Sequence, residues 1–141
     1  MARARIVVAD DHANMLERVS RVLETDYDVV AAVPDGLTAV DAVDRLNPDL
    51  AIFDSSMPGL TGLEAAMKLA GMGRNARVIF LTVHEDQEFV DAARSAGALG
   101  YVLKRNILTD LLPAVRRALT GRTTFLAPLI ADPTPAAAAD N

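Results

Sequence analysis

Five short apolar runs recur along the chain, and polar or turn residues bound each of them. Val, Ile, Leu and aromatic residues dominate the runs, which is typical of β-strands. Because the runs are continuous and do not alternate with polar residues, they indicate strands that are covered on both faces, as in a parallel sheet. The predicted strands cover residues 5–9, 27–33, 50–54, 77–82 and 100–103.

Apolar residues at helical spacing fill the intervals between these strands and predict five helices. The predicted apolar stripes are Leu16, Val19 and Leu23; Leu37, Val40 and Val43; Leu63, Met67 and Ala70; Phe89, Ala93 and Ala96; and Leu108, Leu111, Leu112, Val115 and Leu119. Asp35 is suited to start the second helix, and Thr61 with Glu64 predicts a capping box at the third. Since Pro113 has no backbone donor, we expect the last helix to begin near Asp110.

Strand and helix therefore alternate five times, which indicates an α/β fold with a doubly wound parallel sheet and right-handed crossovers. The pattern stops at Gly121, and the segment DPTPAAAADN near the C-terminus has the composition of a linker or frayed terminus. The predicted division is a folded domain over 1–121 and a poorly ordered tail or linker over 122–141. We expect no second folded domain within these 20 residues of the tail.

Composition narrows the class of protein. The chain has 141 residues, of which 51% are hydrophobic and 23% charged, as in one globular domain. It has no cysteine, which excludes disulfides and thiolate metal sites. The formal charge of −5 disfavours direct nucleic-acid binding by this chain. No apolar run approaches a membrane span, and Asp10 and Asp11 interrupt the apolar run at the N-terminus, so we expect a cytoplasmic protein without a membrane contact.

Polar residues whose side chains can bind ligands or take part in reactions cluster at the carboxyl ends of four predicted strands. Ligands bind at this edge in open α/β sheets. Asp10 and Asp11 follow the first strand, Asp54 ends the third, Thr82 ends the fourth, and Lys104 follows the fifth. Three carboxylates, a hydroxyl and an ammonium group are therefore expected at one edge of the sheet.

Four segments at these strand ends, VVADDH, FDSSMPGLTG, FLTVHED and GYVLKRN, resemble the receiver domain of two-component response regulators. The sequence around these segments is most similar to the NarL/LuxR-type branch of the family. The resemblance covers roughly residues 3–121. It implies a flavodoxin-like (βα)5 sandwich whose five-stranded parallel sheet has the order 2-1-3-4-5. This order places the first and third strands side by side.

The resemblance also implies a reaction. Asp54 would accept a phosphoryl group from a phosphohistidine on a sensor histidine kinase or phosphotransfer protein, and Lys104 would stabilise the phosphoryl oxygens. Mg²⁺ would be held by Asp11, Asp54 and the backbone carbonyl of Ser56, with Asp10 acting through a water molecule. Hard oxygen ligands of this kind suit Mg²⁺. The chain would be a signalling domain with at most slow autodephosphorylation.

The resemblance further implies a switch. Thr82 would move to donate a hydrogen bond to the phosphoryl group, and Tyr101 would turn inward into the vacated space. The fourth helix, fifth strand and fifth helix would then form the output face and control transcription if the chain belongs to a longer regulator. This face, or the first and fifth helices, could support a homodimer. Ser56 and His84 occupy positions that tune dephosphorylation in the family.

Several alternatives stay open. His12 and His84 are interpreted as helix-start residues, although both flank the predicted site. Arg105 stands where many receivers have proline after the site lysine, so a cis peptide is not expected there. A phosphatase of the haloacid-dehalogenase kind is a further alternative. That family has a second aspartate two residues after the nucleophile, and this chain has Ser56 at that position. A phosphorylation-independent interaction domain with a receiver fold is the main alternative function.

Overall fold

The computed structural model describes residues 3–74, 76–83 and 86–125; His84 lies outside this part of the chain. Strands and helices alternate as predicted. They are β1 (Arg5–Ala9), α1 (Ala13–Glu24), β2 (Asp28–Val33), α2 (Gly36–Leu46), β3 (Leu50–Asp54), α3 (Gly62–Gly71), β4 (Val78–Thr82), α4 (Gln87–Ser95), β5 (Gly100–Leu103), a 3₁₀ turn (Lys104–Asn106), α5 (Ile107–Leu119) and β6 (Thr124–Phe125).

All strand pairs in the sheet are parallel, in the order β2-β1-β3-β4-β5-β6. The predicted α/β class and the order 2-1-3-4-5 are confirmed, but the sheet has a sixth strand that we did not predict. β6 pairs Thr124 with Gly100 and Phe125 with Tyr101. It lies inside the segment predicted as a tail, whose residues 126–141 are outside the described part.

Both faces of the sheet are buried, which explains why the strands are continuously apolar. One face packs against α2, α3 and α4 and contains the aromatic side chains Phe53, Phe80 and Tyr101. The other face packs against α1 and α5 and is aliphatic, with Leu23 and Leu111 among its buried members. Among the described residues, no helix is long and apolar enough to cross a bilayer.

Four residues of the predicted apolar stripes are instead exposed: Leu37 by 61%, Met67 by 58%, Leu108 by 76%, and the small residue Ala70. Leu37 and Leu108 are the second residues of their helices, and each lies on the solvent side next to a buried first residue, Gly36 or Ile107. In α3 the buried face is one residue out of phase with our prediction. It consists of the small residues Gly62, Ala65 and Ala66 together with Leu69, because small side chains allow the helix to approach the sheet closely.

The helix starts are partly as predicted. Asp35 caps α2 by accepting a hydrogen bond from the Thr38 backbone N–H, and the capping box of Thr61 and Glu64 is present at α3. The expected start of the last helix near Asp110 is wrong, because α5 begins at Ile107 and contains Pro113 in its interior. Ile107 is only 1% exposed, so core packing outweighs the lost proline hydrogen bond.

Candidate functional site

The sheet order brings the predicted site residues together at its carboxyl edge. Since β1 and β3 are neighbours, Asp10 and Asp54 lie side by side, and Thr82 and Lys104 follow on β4 and after β5. Asp10 and Thr82 are fully buried and Asp54 is 2% exposed. Aspartate is rarely buried unless it is paired, so these side chains form a site and not a solvated surface. We call Asp10, Asp11, His12, Asp54 and Lys104 the acidic crevice.

Lys104 links the two buried carboxylates. Its Nζ atom lies 3.1 Å from Asp10 Oδ2 and 3.1 Å from Asp54 Oδ1. The Lys104 side chain is only 11% exposed, because the 3₁₀ turn after β5 directs it into the crevice. One ammonium group therefore faces two carboxylates, and the buried charges are not balanced within this group of three.

This imbalance appears in the acidity of Asp54. Burial, followed by the nearby charge of Asp10, raises the pKa of Asp54 to about 6, and Lys104 only partly opposes the rise. Asp54 Oδ1 accepts a hydrogen bond from the Ser56 backbone N–H at 3.3 Å. The other oxygen, Oδ2, is buried without a hydrogen-bond partner among the described residues. A buried carboxylate oxygen in this state is suited to bind a cation or a covalent group.

Asp11 and His12 complete the cluster. Donor atoms of Asp10, Asp11, His12 and Asp54 all lie within 4.8 Å of one another. We predicted that His12 only starts a helix, and it does occupy the cap position of α1, but its side chain makes no capping hydrogen bond. Instead, Nδ1 lies 3.3 Å from Asp10 Oδ1 and 3.2 Å from Asp11 Oδ1. The structure thus adds an imidazole to the predicted carboxylates.

Thr82 has a hydrogen-bonded neighbour that was not among the predicted site residues. The hydroxyl of Ser55 donates a hydrogen bond to Thr82 Oγ1 at 3.0 Å. Ser55 directly follows β3, and Thr82 ends the adjacent β4, so the bond connects two strand ends next to Asp54. In the sequence the pair is separated by 27 residues, and a serine after a strand has the appearance of an ordinary turn residue.

Close backbone packing holds Asp54 against α3. A Cβ atom on Gly62 would lie 2.2 Å from the carbonyl oxygen of Asp54, so only glycine permits this approach. The Gly62 backbone N–H also donates to the Ser55 carbonyl at 3.3 Å. The start of α3 is thereby fixed relative to the end of β3.

Tyr101 lies away from the crevice, in an aromatic cluster on β4, α4, β5 and β6. Its side chain is fully buried, and its ring centroid is 6.0 Å from that of Phe89 and 5.8 Å from that of Phe125. Phe80 packs on Phe89 at 5.8 Å, and the Arg94 guanidinium lies 4.1 Å from the Phe125 ring centroid. We call Phe80, Phe89, Tyr101 and Phe125 the aromatic edge.

A cavity of about 660 Å³ opens beside the acidic crevice, between the start of α1 and the loops after β4 and β5. It is lined by Asp11, His12, Met15, Arg18, Val83 and Lys104, among others. Val83 is 65% exposed. The cavity gives a reactant access to the carboxylates from outside the sheet.

Comparison with known proteins identifies one domain family. The family model described as the response regulator receiver domain matches residues 6–116. The transcriptional regulatory protein DegU of Brevibacillus brevis is 36% identical over 121 residues, which are 84% of this chain and 51% of DegU. The nitrate/nitrite response regulator protein NarP of Escherichia coli is 37% identical over 123 residues, or 86% of this chain and 57% of NarP. The chain thus spans about half the length of these curated relatives.

Solved structures show the same similarity. The signal receiver domain of NarL from Mycobacterium tuberculosis has a TM-score of 0.82 at 31% identity, with 86% of this chain and 100% of that chain covered. A two-component response regulator of the LuxR family from Aurantimonas has a TM-score of 0.84 at 33% identity, with 92% and 94% covered.

Proposed function

Because the chain belongs to the response regulator receiver family, we propose that Asp54 accepts a phosphoryl group from a phosphohistidine on a sensor histidine kinase or phosphotransfer protein. One observation carries this proposal. Asp54 is a buried carboxylate with a lysine ammonium at 3.1 Å from Oδ1 and with Oδ2 lacking a hydrogen-bond partner in the described part of the chain.

In the proposed step, a carboxylate oxygen of Asp54 forms a bond to phosphorus as the P–N bond of the phosphohistidine breaks. The electron pair of that bond stays on the departing imidazole nitrogen, and the product is an aspartyl phosphate. Phosphoryl transfer depends mainly on positioning and charge stabilisation. Lys104 provides both, since its Nζ lies between the carboxylates of Asp10 and Asp54.

The donor set of the crevice fits Mg²⁺. Asp11, Asp54 and the Ser56 backbone carbonyl would hold the ion directly, and Asp10 would act through a water molecule, because carboxylate and carbonyl oxygens are the ligands that Mg²⁺ prefers. The buried Oδ2 atom of Asp54 is the observation that supports this fit. When bound, Mg²⁺ supplies positive charge that offsets the carboxylates and the phosphoryl oxygens.

The aspartyl phosphate would then act as a switch. It adds negative charge and acceptor oxygens close to the strand end that carries Thr82. Thr82 would donate a hydrogen bond to the phosphoryl group, and Tyr101 would respond within the aromatic edge, changing the face formed by α4, β5 and α5. This change would control transcription through a further part of a longer regulator.

Homodimerisation through this face or through α1 and α5 belongs to the same proposal. Ser56 and His84 would tune the rate of dephosphorylation.

Intact mass spectrometry tests the proposal. The wild type and Asp54→Asn are incubated with acetyl phosphate or phosphoramidate, with and without Mg²⁺, and Asp26→Asn serves as a control at an exposed aspartate. We expect one added phosphoryl group on the wild type and on Asp26→Asn, only with Mg²⁺, and none on Asp54→Asn. No gain on the wild type would instead support a phosphorylation-independent interaction domain, in which Asp54→Ala binds partners as the wild type does.

A further inference from the structure

The hydrogen bond between Ser55 and Thr82 connects the end of β3 to the end of β4, next to Asp54. Ser55 Oγ lies 3.0 Å from Thr82 Oγ1. Thr82 is fully buried, and Ser55 is half-buried, so water competes little for this bond. A hydrogen bond to a buried hydroxyl is costly to break without a replacement.

The backbone fixes Ser55 in place. Its N–H donates to the Leu81 carbonyl at 2.8 Å, and its own carbonyl accepts from the Gly62 N–H at 3.3 Å. Since Gly62 is wedged against Asp54, as described above, the Ser55 backbone is anchored to the start of α3 as well as to β4. The side-chain bond therefore holds Thr82 to a rigid point.

We infer that Ser55 is a positioning residue that restrains Thr82 in the unphosphorylated arrangement and so opposes switching. The inference rests on the proposed function, in which Thr82 donates a hydrogen bond to the phosphoryl group on Asp54. A shift of Thr82 toward Asp54 lengthens the bond to Ser55 and weakens it. Ser55 thus sets part of the equilibrium between the resting and switched states through its hydrogen bond to Thr82.

Population shift gives the expected magnitude. One net hydrogen bond corresponds to about a 2- to 10-fold change in an equilibrium constant. A ligand that binds only the switched state gains apparent affinity by the same factor when the resting state loses that bond. Removing the Ser55 hydroxyl should therefore tighten the binding of a phosphoryl mimic by about 2- to 10-fold.

Beryllium fluoride in excess Mg²⁺ is the probe, and its dissociation constant is measured by calorimetry. Four variants are compared with the wild type: Ser55→Ala, Ser55→Thr, Thr82→Val and the double variant Ser55→Ala/Thr82→Val. We expect Ser55→Ala to bind more tightly by the factor above, and Ser55→Thr to bind as the wild type does, because it restores the hydroxyl. In the Thr82→Val background, Ser55→Ala should have no further effect, because its partner hydroxyl is gone.

Each contrary result has its own meaning. Unchanged or weaker binding by Ser55→Ala overturns the inference, as does an equal tightening in the Thr82→Val background, which would place the effect outside Thr82. A wild type that fails to bind beryllium fluoride overturns the proposed function and the inference together. Thermal unfolding of each variant without the probe verifies that the compared proteins are folded.

Discussion

The strand β5 serves two regions that differ in how their side chains are stabilised. At its beginning, Gly100 and Tyr101 pair with β6, and Phe125 is enclosed by an aromatic ring and an arginine. Directly after its end, Lys104 enters the acidic crevice, where two buried carboxylates face a single ammonium group. The aromatic edge is held by apolar contact, whose strength depends little on pH or ions. The acidic crevice carries like charges that favour a bound cation or a proton. The short strand β5 thus joins the aromatic edge, which stabilises the fold by apolar packing, to the acidic crevice, whose buried charges can bind a cation or a proton.

The largest expected effect comes from removing the ammonium group of the crevice. Lys104→Met leaves Asp10 and Asp54 buried without their cation and should lower the free energy of unfolding by about 2–4 kcal/mol at pH 7.5 in EDTA. Saturating Mg²⁺ should recover much of this loss, because the ion supplies the missing positive charge. Chemical denaturation with and without Mg²⁺ measures both quantities.

Lys68 is the matched control for this variant, because it is the only other lysine of the chain and lies exposed on α3. Lys68→Met should leave the unfolding free energy within about 0.5 kcal/mol of the wild-type value. If Lys104→Met were as stable as Lys68→Met in EDTA, the crevice would be hydrated, and the carboxylates of Asp10 and Asp54 would not repel each other strongly enough to destabilise the fold.

A smaller loss is expected at the aromatic edge. Phe125 is 5% exposed and packs on Tyr101, and Phe125→Ala should lower the unfolding free energy by about 2 kcal/mol, less than a central core phenylalanine because β6 can detach from the sheet. The loss should be the same with EDTA, with Mg²⁺ and between pH 5 and 8. Leu108→Ala, at a leucine that is 76% exposed, is the control. A Phe125→Ala loss that changed with Mg²⁺ would show that the two regions are coupled through β5.

The smallest expected effect is a gain. The pKa of Asp54 is raised to about 6 from an ordinary value near 3.8, so the folded protein binds a proton more tightly than the unfolded chain does. In the absence of metal, stability should therefore fall as the pH rises from about 4 to about 6, where the carboxyl group ionises in the fold. Asp54→Asn removes this penalty and should stabilise the protein by about 1–2 kcal/mol above pH 6, once solvent screening is allowed for.

As the pH falls through and below about 3.8, the advantage of Asp54→Asn should disappear, because the wild-type carboxyl group becomes protonated in the unfolded state as well as in the fold. Thermal melts in EDTA across this pH range measure the difference, with Asp26→Asn as the control. An Asp54→Asn variant less stable than the wild type at pH 7.5 would show that the Lys104 ion pair outweighs burial.

The sequence predicts most of the fold because strands that are buried on both faces of the sheet are continuous runs of apolar residues, which are recognisable in the sequence. The strand runs 5–9, 50–54 and 100–103 agree with the structure to the residue. β6 was missed because Thr124 and Phe125 form a strand only through pairing with β5, and two residues carry no periodicity. The position of Pro113 misled the prediction for α5, since the burial of Ile107 in the core decides where that helix starts.

The site was predictable as far as it follows from strand order. Asp10, Asp54, Thr82 and Lys104 lie at strand ends, so the sheet brings them to one edge without further information. The bond between Ser55 and Thr82 was not predictable, because it depends on which way two side chains point from adjacent strands. The approach of the His12 imidazole to the carboxylates likewise depends on a rotamer, which no spacing in the sequence specifies.

The glycine wedged beneath Asp54 limits which sequences can keep this site. Any side chain at Gly62 would displace either α3 or the carbonyl of Asp54, although it would alter no acid, base or hydroxyl of the crevice. A library of single substitutions scored for phosphoryl uptake should therefore show an intolerant position eight residues beyond the proposed acceptor. Gly62 has no reactive side chain, so the chemistry of the crevice does not mark this position as essential. Backbone packing nevertheless makes it as intolerant of substitution as the carboxylates themselves.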